Sequence, residues 1–352
     1  MQHLFSRFLP KPAAKPVPAE AQAAAPVAAP ATPVALPPLN IRYYTDYPTC
    51  NLACSYCVAG HGTTFQKPPT SRWDPARYRR VMHNVAKLPY AVNIRIGVGG
   101  EFFVSKDLVD GARTLSQSPN LHALNLITNL TLSVPQFEKT FVGFDESKIA
   151  MVASFHPEQI KDHEAWFDKA AEFNRRYDFA VIMVAFPEAL DVLADYKARL
   201  NARGVDVFIQ PFVGPHQEKW YPQAYSEAER EQIKAMIYSR HDYEYLLNAK
   251  RPGACNAGYR AIFIDPMGVV TPCGMGKYHG SLGNLAESPE ITLRDGPAPC
   301  PFASCQCDTE NVNTVEFHTH YEKSGANQHR YRYRFGDLAA LDERYDEWKI
   351  HY

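Results

Sequence analysis

The 352-residue chain balances 37 Lys+Arg against 38 Asp+Glu, and 45% of its residues are hydrophobic. That is enough material for one large domain with a smaller one beside it. A formal net charge of −1 argues against nucleic acid or an anionic membrane as a partner. No apolar run approaches the roughly 18 residues of a membrane-spanning helix, so none is expected.

The segment Met1–Leu9 is short and mildly amphipathic, and its apolar part is interrupted by Ser6 and Arg7, unlike a secretory signal. The stretch that follows, to Pro38, is dominated by Pro and Ala and lacks apolar periodicity. Residues 1–39 therefore read as a disordered, partly polyproline-like tail that cannot bury a core.

A strand over Asn40–Tyr44 leads into Tyr47-Pro-Thr-Cys50-Asn-Leu-Ala-Cys54-Ser-Tyr56-Cys57. A [4Fe–4S] cube is normally held by four thiolates. Three cysteines spaced C-x3-C-x2-C can wrap three corners and leave the fourth iron open. A structural zinc would want four ligands in close pairs, and the next candidate downstream is His61. Zinc or free thiols remain open on spacing alone. With Tyr56 just before the third cysteine, the pattern resembles the signature of the radical S-adenosylmethionine (SAM) enzymes.

From Asn40 to Gly214, apolar runs alternate with amphipathic stretches. Strands are predicted at 40–44, 92–98, 123–128, 149–155, 179–185 and 206–211, with helices at 75–87, 106–116, 134–140, 163–177 and 189–203. Such alternation implies parallel βαβ units, here a partial (β/α)6 barrel with ligands at the carboxyl ends of its strands. The second strand ends in Gly97-Val-Gly99-Gly100-Glu101. Glycines allow close backbone approach, and the carboxylate can accept from an ammonium group. By resemblance, this segment holds the methionyl amino group of SAM.

The resemblance also implies cofactor contacts from Tyr56, from Thr128 and Asn129 after strand three, and from Ser154 after strand four. Val184 or Ala185 would face adenine, and the backbone around Gln210 at the end of strand six would read the adenine edge. Without the resemblance, Thr128-Asn129 is as easily a polar turn. His156, Glu188, Gln210 and His216 are candidate catalytic or substrate-contacting residues at the barrel mouth. The implied chemistry is reductive cleavage of SAM to a 5′-deoxyadenosyl radical, which abstracts a hydrogen atom from substrate.

After a helix at 226–248 comes Cys255, then Ala261–Ile264, the turn Asp265-Pro-Met-Gly268, Val269–Thr271 and Cys273. This β-hairpin with flanking cysteines is similar to the twitch or SPASM module of many radical SAM enzymes, and residues 215–310 form the expected auxiliary iron–sulfur domain. Cys305 and Cys307 complete the favoured ligand set, with Cys300 the alternative; a four-thiolate zinc ribbon makes nearly the same demands. A closed second [4Fe–4S] cluster suits an electron acceptor.

The eight cysteines lie in two clusters. A secreted disulfide framework would be denser and in a smaller chain, so a reducing cytoplasm is expected. Residues 311–352 form a polar, aromatic extension with Phe317-His-Thr-His320 and His329-Arg-Tyr-Arg-Tyr-Arg334, suited to nucleotide contact or to an alternating strand. The expected function is a radical SAM oxidoreductase acting on a small polar sugar-, cyclitol- or nucleotide-like molecule, reduced by a partner such as flavodoxin or ferredoxin. Modification of a ribosomal peptide or protein side chain is the runner-up. A non-catalytic iron–sulfur or zinc redox protein is the reading from another class.

Overall fold

The structure is a computed structural model and describes residues 38–57, 71–236, 254–274 and 280–299. The amino-terminal tail, the later part of the predicted 226–248 helix, the carboxy-terminal extension, and Cys300, Cys305 and Cys307 lie outside the described residues.

Six strands, β1 (Leu39–Tyr44), β2 (Val92–Gly97), β3 (Leu121–Thr128), β4 (Ile149–Phe155), β5 (Asp178–Ala185) and β6 (Val207–Pro211), pair in parallel and in sequence order. The helices between them are α1 (Pro75–Val85), α2 (Lys106–Ser116), α3 (Val134–Phe141), α4 (His163–Arg176) and α5 (Leu190–Asn201). The sheet does not close on itself, since β6 ends one edge. This is the partial barrel expected from the alternation.

Four of these five helices begin where the sequence satisfies the orphan backbone donors of a first turn, and α5, with Ala189 at its N-cap, has no side-chain cap. Asp74 accepts from the Ala76 and Arg77 N–H groups, Ser105 from Leu108, and Asp162 from Ala165. Ser133 and Gln136 form a capping box on α3. The predicted 189–203 helix starts one residue later than expected, because Pro187–Ala189 forms a 3₁₀ turn first. It stops at Asn201 ahead of Gly204, whose φ is +75°. Alternation in the strands packs one face under the helices: Tyr43 stacks on Tyr78 of α1 at 5.9 Å, and Phe179 lies 6.1 Å from Phe173 of α4.

Beyond β6, β7 (Gly214–His216) and β8 (Lys219–Tyr221) form a hairpin absent from the sequence reading. Its turn places Gln217 and Glu218 at φ 46° and 62°. Hairpins of this hand favour Asn-Gly or Asp-Gly, so Gln-Glu carries no compositional signal. The next helix, α6, is described over Glu227–Met236.

The predicted hairpin is present as β10 (Ala261–Ile264) and β11 (Val269–Thr271), with Gly268 at φ +84° closing the turn. It is stitched into the main sheet. β10 pairs in parallel with β1, and β12 (Gly283–Asn284) extends the sheet to nine strands. β9 (Ala254–Cys255) pairs separately with β13 (Ala298–Pro299). No helix among the described residues is long and apolar enough to cross a membrane.

Candidate functional site

The cysteine loop leaves β1 and lies across the carboxyl ends of the parallel strands. One cavity of about 500 Å³ opens there, within the usual size range of small-ligand sites. Cys50, Cys54, Tyr56 and Cys57 line it from the loop, Gly99, Gly100 and Glu101 from the end of β2, and Thr128 and Asn129 from the end of β3. Ser154 and His156 line it from the end of β4, and Val184, Gln210 and Phe212 from β5 and β6. Residues spread over 160 positions of sequence thus share one space.

Backbone packing sets the loop against the sheet. The Glu101 N–H donates to the Thr49 carbonyl at 2.9 Å. A Cβ on Gly100 would sit 1.9 Å from that same oxygen. At Gly100 the close approach that demands glycine is to the cysteine loop itself, whereas the sequence reading assigned it to a ligand.

Glu101 is almost fully buried. Its Oε1 accepts from the Phe103 N–H at 3.2 Å and the Thr128 hydroxyl at 2.8 Å, and Oε2 accepts from the Asn129 N–H at 2.6 Å. Burial raises its pKa, opposed by these hydrogen bonds. A carboxylate offers about four acceptor positions, so these three bonds leave about one unused. Asn129 bonds Asn51 of the loop at 2.7 Å through Nδ2, and its carbonyl accepts from the Trp166 indole at 3.1 Å.

The segment after β4 clasps the loop from the other side. Glu158 accepts from the Ser55 N–H at 2.5 Å and the Ser55 hydroxyl at 2.7 Å, and Gln159 accepts from the Ala53 N–H at 3.3 Å. Tyr56 Oη lies 2.9 Å from His156 Nδ1. Burial pushes the His156 pKa down to about 4 and the Tyr56 pKa up, so both are neutral at pH 7. Glu158, Gln159, Asn51 and Trp166 were not singled out in the sequence. No spacing rule links them to the loop, although Glu158-Gln159 directly follows a motif-bearing strand end.

Of the other mouth residues, Gln210 lines the cavity, whereas Glu188 and His216 do not. They form a pair, His216 Nε2 to Glu188 Oε1 at 2.5 Å, with His216 packed 4.6 Å from the ring of Phe186. Phe186 in turn packs on Tyr56 at 4.9 Å. The pair is one residue layer behind the cavity wall.

Among the described residues, no three His, Cys, Asp or Glu side chains converge to hold a single metal ion. A cube binds each thiolate at a different corner, so the three cysteines of one loop suit three of its corners without converging on one point. Burial holds Cys50 above the ordinary thiol range and Cys54 at about 12, with Glu158 adding to the shift at Cys54. These thiols ionise when a cationic partner offsets the desolvation. At the second cluster, Cys255 is buried on β9 and accepts from the Ala257 N–H at 3.4 Å, and Cys273 is half-buried just past β11.

The open parallel sheet, the cysteine loop across its carboxyl ends and the buried carboxylate after β2 form a partial parallel barrel with one cavity at the strand ends. No protein-family model and no curated protein matches the chain. Among solved structures it is similar to Streptococcus suis SuiB at 14% identity and a TM-score of 0.48, over 73% of this chain and 66% of that one. It is also similar to anSMEcpe with bound AdoMet at 16% identity and a TM-score of 0.49, over 80% of this chain and 82% of that one. BtrN in complex with AdoMet and 2-DOIA is similar at 14% identity and a TM-score of 0.37, over 82% of this chain and 87% of that one. The chain thus spans just under two thirds of SuiB. Likenesses this faint assign no activity.

Proposed function

We propose that the chain is a radical SAM oxidoreductase acting on a small polar molecule of the sugar, cyclitol or nucleotide-linked kind. The observation that carries this reading is the convergence of the three-cysteine loop and Glu101 in one cavity at the carboxyl ends of the sheet. Cys50, Cys54 and Cys57 would hold three corners of a [4Fe–4S] cube. When bound, the cluster supplies the electron that cleaves SAM to methionine and a 5′-deoxyadenosyl radical, the species that takes a hydrogen atom from substrate.

The chain's own residues bind and orient. Glu101 has an acceptor position for the methionyl ammonium, and its bonds to Thr128 and the Asn129 backbone fix the direction of that position. Ser154 offers a hydroxyl to ribose or carboxylate, and Val184 an apolar surface to adenine. Tyr56 and the neutral His156 form an uncharged part of the wall and add no further ion that would draw water toward a reactive radical. His156 and Gln210 are the two mouth candidates placed to meet substrate. Cys255 and Cys273, with two of Cys300, Cys305 and Cys307, would hold a second, closed cluster that accepts the substrate's electron. A flavodoxin- or ferredoxin-like protein would reduce the first, and a reducing cytoplasm would suit both.

The test is anaerobic reconstitution with iron and sulfide, then incubation with SAM and dithionite. Expected are about eight irons per chain, formation of 5′-deoxyadenosine, and loss of about half the iron and all of that product in a Cys50/Cys54/Cys57→Ala variant. Absence of 5′-deoxyadenosine from iron-replete wild type refutes the reading.

A further inference from the structure

Asn129 stands where the cysteine loop meets the end of β3, and only 4% of it is exposed. Its backbone is spent on the sheet side, with the N–H on Glu101 and the carbonyl on the Trp166 indole. Holding Glu101 uses the backbone alone. The side chain turns the other way, toward the loop.

The partners of the side-chain amide fix its orientation. The Thr131 N–H, which can only donate, lies 3.1 Å from Oδ1, and the Thr131 hydroxyl reaches the same oxygen at 2.7 Å. Nδ2 therefore faces the loop. One of its protons goes to Asn51 Oδ1 at 2.7 Å, and Asn51 closes a ring by donating from Nδ2 to the Thr131 hydroxyl at 2.7 Å. The second proton has one acceptor within reach among the described residues, the Cys50 sulfur, 3.9 Å from Nδ2. That sulfur also accepts from the Leu52 N–H at 3.5 Å.

A structural role explains the first proton, since the ring of Asn51, Asn129 and Thr131 ties the loop to β3. It does not explain the second. A protonated thiol is a weak acceptor, so a contact of 3.9 Å adds little to holding the loop. A thiolate is a strong one, because charge on the acceptor roughly doubles a hydrogen bond. The turn that aims the amide is also strained: Leu130, buried and bulky, has φ +55°, in the left-handed region such residues avoid. Strain of this kind is retained where geometry serves a function. The sulfurs of the loop are thereby unequal, with N–H donors at Cys50 and the Glu158 carboxylate near Cys54.

We infer that Asn129 sets the reduction potential of the cluster held by the loop, acting through Cys50 as a positioning residue rather than as a contact to SAM. Donors to a cluster's sulfurs stabilise its more negative, reduced form and so raise its potential. The amide oxygen and both amide protons are engaged within the chain, which leaves none of them for SAM. The inference rests on the radical SAM reading above for the presence of the cluster.

The experiment is an EPR-monitored electrochemical titration of anaerobic, iron-reconstituted, full-length protein. The signal absent from the Cys50/Cys54/Cys57→Ala variant marks the cluster of the loop. In N129D an oxygen replaces the donor and adds charge, so one-electron reduction of that cluster becomes at least tenfold less favourable, a fall of about 59 mV. N129A removes the donor without adding charge, and the potential falls by less. T131V keeps the amide N–H while loosening the ring, and the same equilibrium stays within about twofold of wild type. An unmoved potential in iron-replete N129D or N129A overturns the inference, as does an equal fall in T131V. If neither Asn129 variant holds the cluster, wild-type protein carrying ¹⁵N at its asparagine side-chain amides decides. A ¹⁵N coupling in the electron–nuclear double-resonance spectrum of the reduced loop cluster supports the contact, and its absence overturns it. No signal lost on removing the three cysteines, or no 5′-deoxyadenosine from wild type, defeats the radical reading. 5′-Deoxyadenosine formation with unmoved potentials defeats only this inference.

Discussion

Replacing Gly100 by Ala tests how the cysteine loop is held. The added Cβ would lie 1.9 Å from the Thr49 carbonyl oxygen, 2.4 Å from its carbon and 3.0 Å from its nitrogen. All three are backbone atoms, so no side-chain rotation relieves the clash. Restoring an ordinary contact of about 3.5 Å moves the loop or the strand end by about 1.5 Å. The Glu101 N–H bond to Thr49, 2.9 Å long, is then lost at about 1 kcal/mol, and overpacking adds about 1–3 kcal/mol. A total of about 2–4 kcal/mol corresponds to a melting temperature lower by roughly 5–12 °C. Displacement by more than 1 Å also takes the cysteines out of register with Glu101, which can cost about a hundredfold in rate. The assay is thermal melting with iron content after reconstitution, beside Gly296→Ala, where a Cβ meets nothing within 4 Å. A G100A protein that melts and retains iron like G296A refutes the reasoning.

Glu101→Ala leaves the Asn129 and Phe103 N–H groups and the Thr128 hydroxyl without their acceptor, and a loss of about 3–5 kcal/mol is expected by denaturant titration; Glu101→Gln keeps one oxygen and loses less. Glu158→Ala frees Ser55 from the clasp over an exposed carboxylate, so stability changes by about 1 kcal/mol or less while iron is released faster to a chelator; an unchanged release rate removes the clasp role. His156 has a folded pKa of about 4 against about 6.5 unfolded. The unfolded chain therefore takes up a proton first, and stability falls as pH drops from 6.5 to 4, by at most about 3 kcal/mol. His156 is half-buried and lines the cavity, so solvent screening reduces this to about 1–2 kcal/mol, and His156→Gln should flatten that part of the pH–stability curve.

Much of the layout is legible in the order of residues. Apolar runs at 40–44, 92–98, 123–128, 149–155, 179–185 and 206–211 locate all six parallel strands to within two residues at either end, because period-two burial acts between neighbours along the chain. The Asp74, Ser105 and Asp162 caps are equally local. The three-cysteine spacing and Glu101 stand out because ligating residue types recur within a few positions.

What tertiary structure alone decides is which distant backbones meet. Gly100 belongs to the sequence motif, yet the reason it must be glycine is Thr49, 51 positions earlier in the loop after the neighbouring strand. Glu158 reaches Ser55 across 103 positions and the Trp166 indole reaches Asn129 across 37, contacts that exist only once parallel crossovers bring the carboxyl ends of the strands together. The hairpin 261–271 reads from sequence as part of a separate module, and its parallel pairing with β1 makes it the continuation of the main sheet. Edge strands pair by backbone groups that every residue shares, so which edge β10 joins is written in no local pattern. One row across the sheet arises in the same way: Arg42, Arg95 and Asn125 are unremarkable in three separate strands, and register alone sets them side by side.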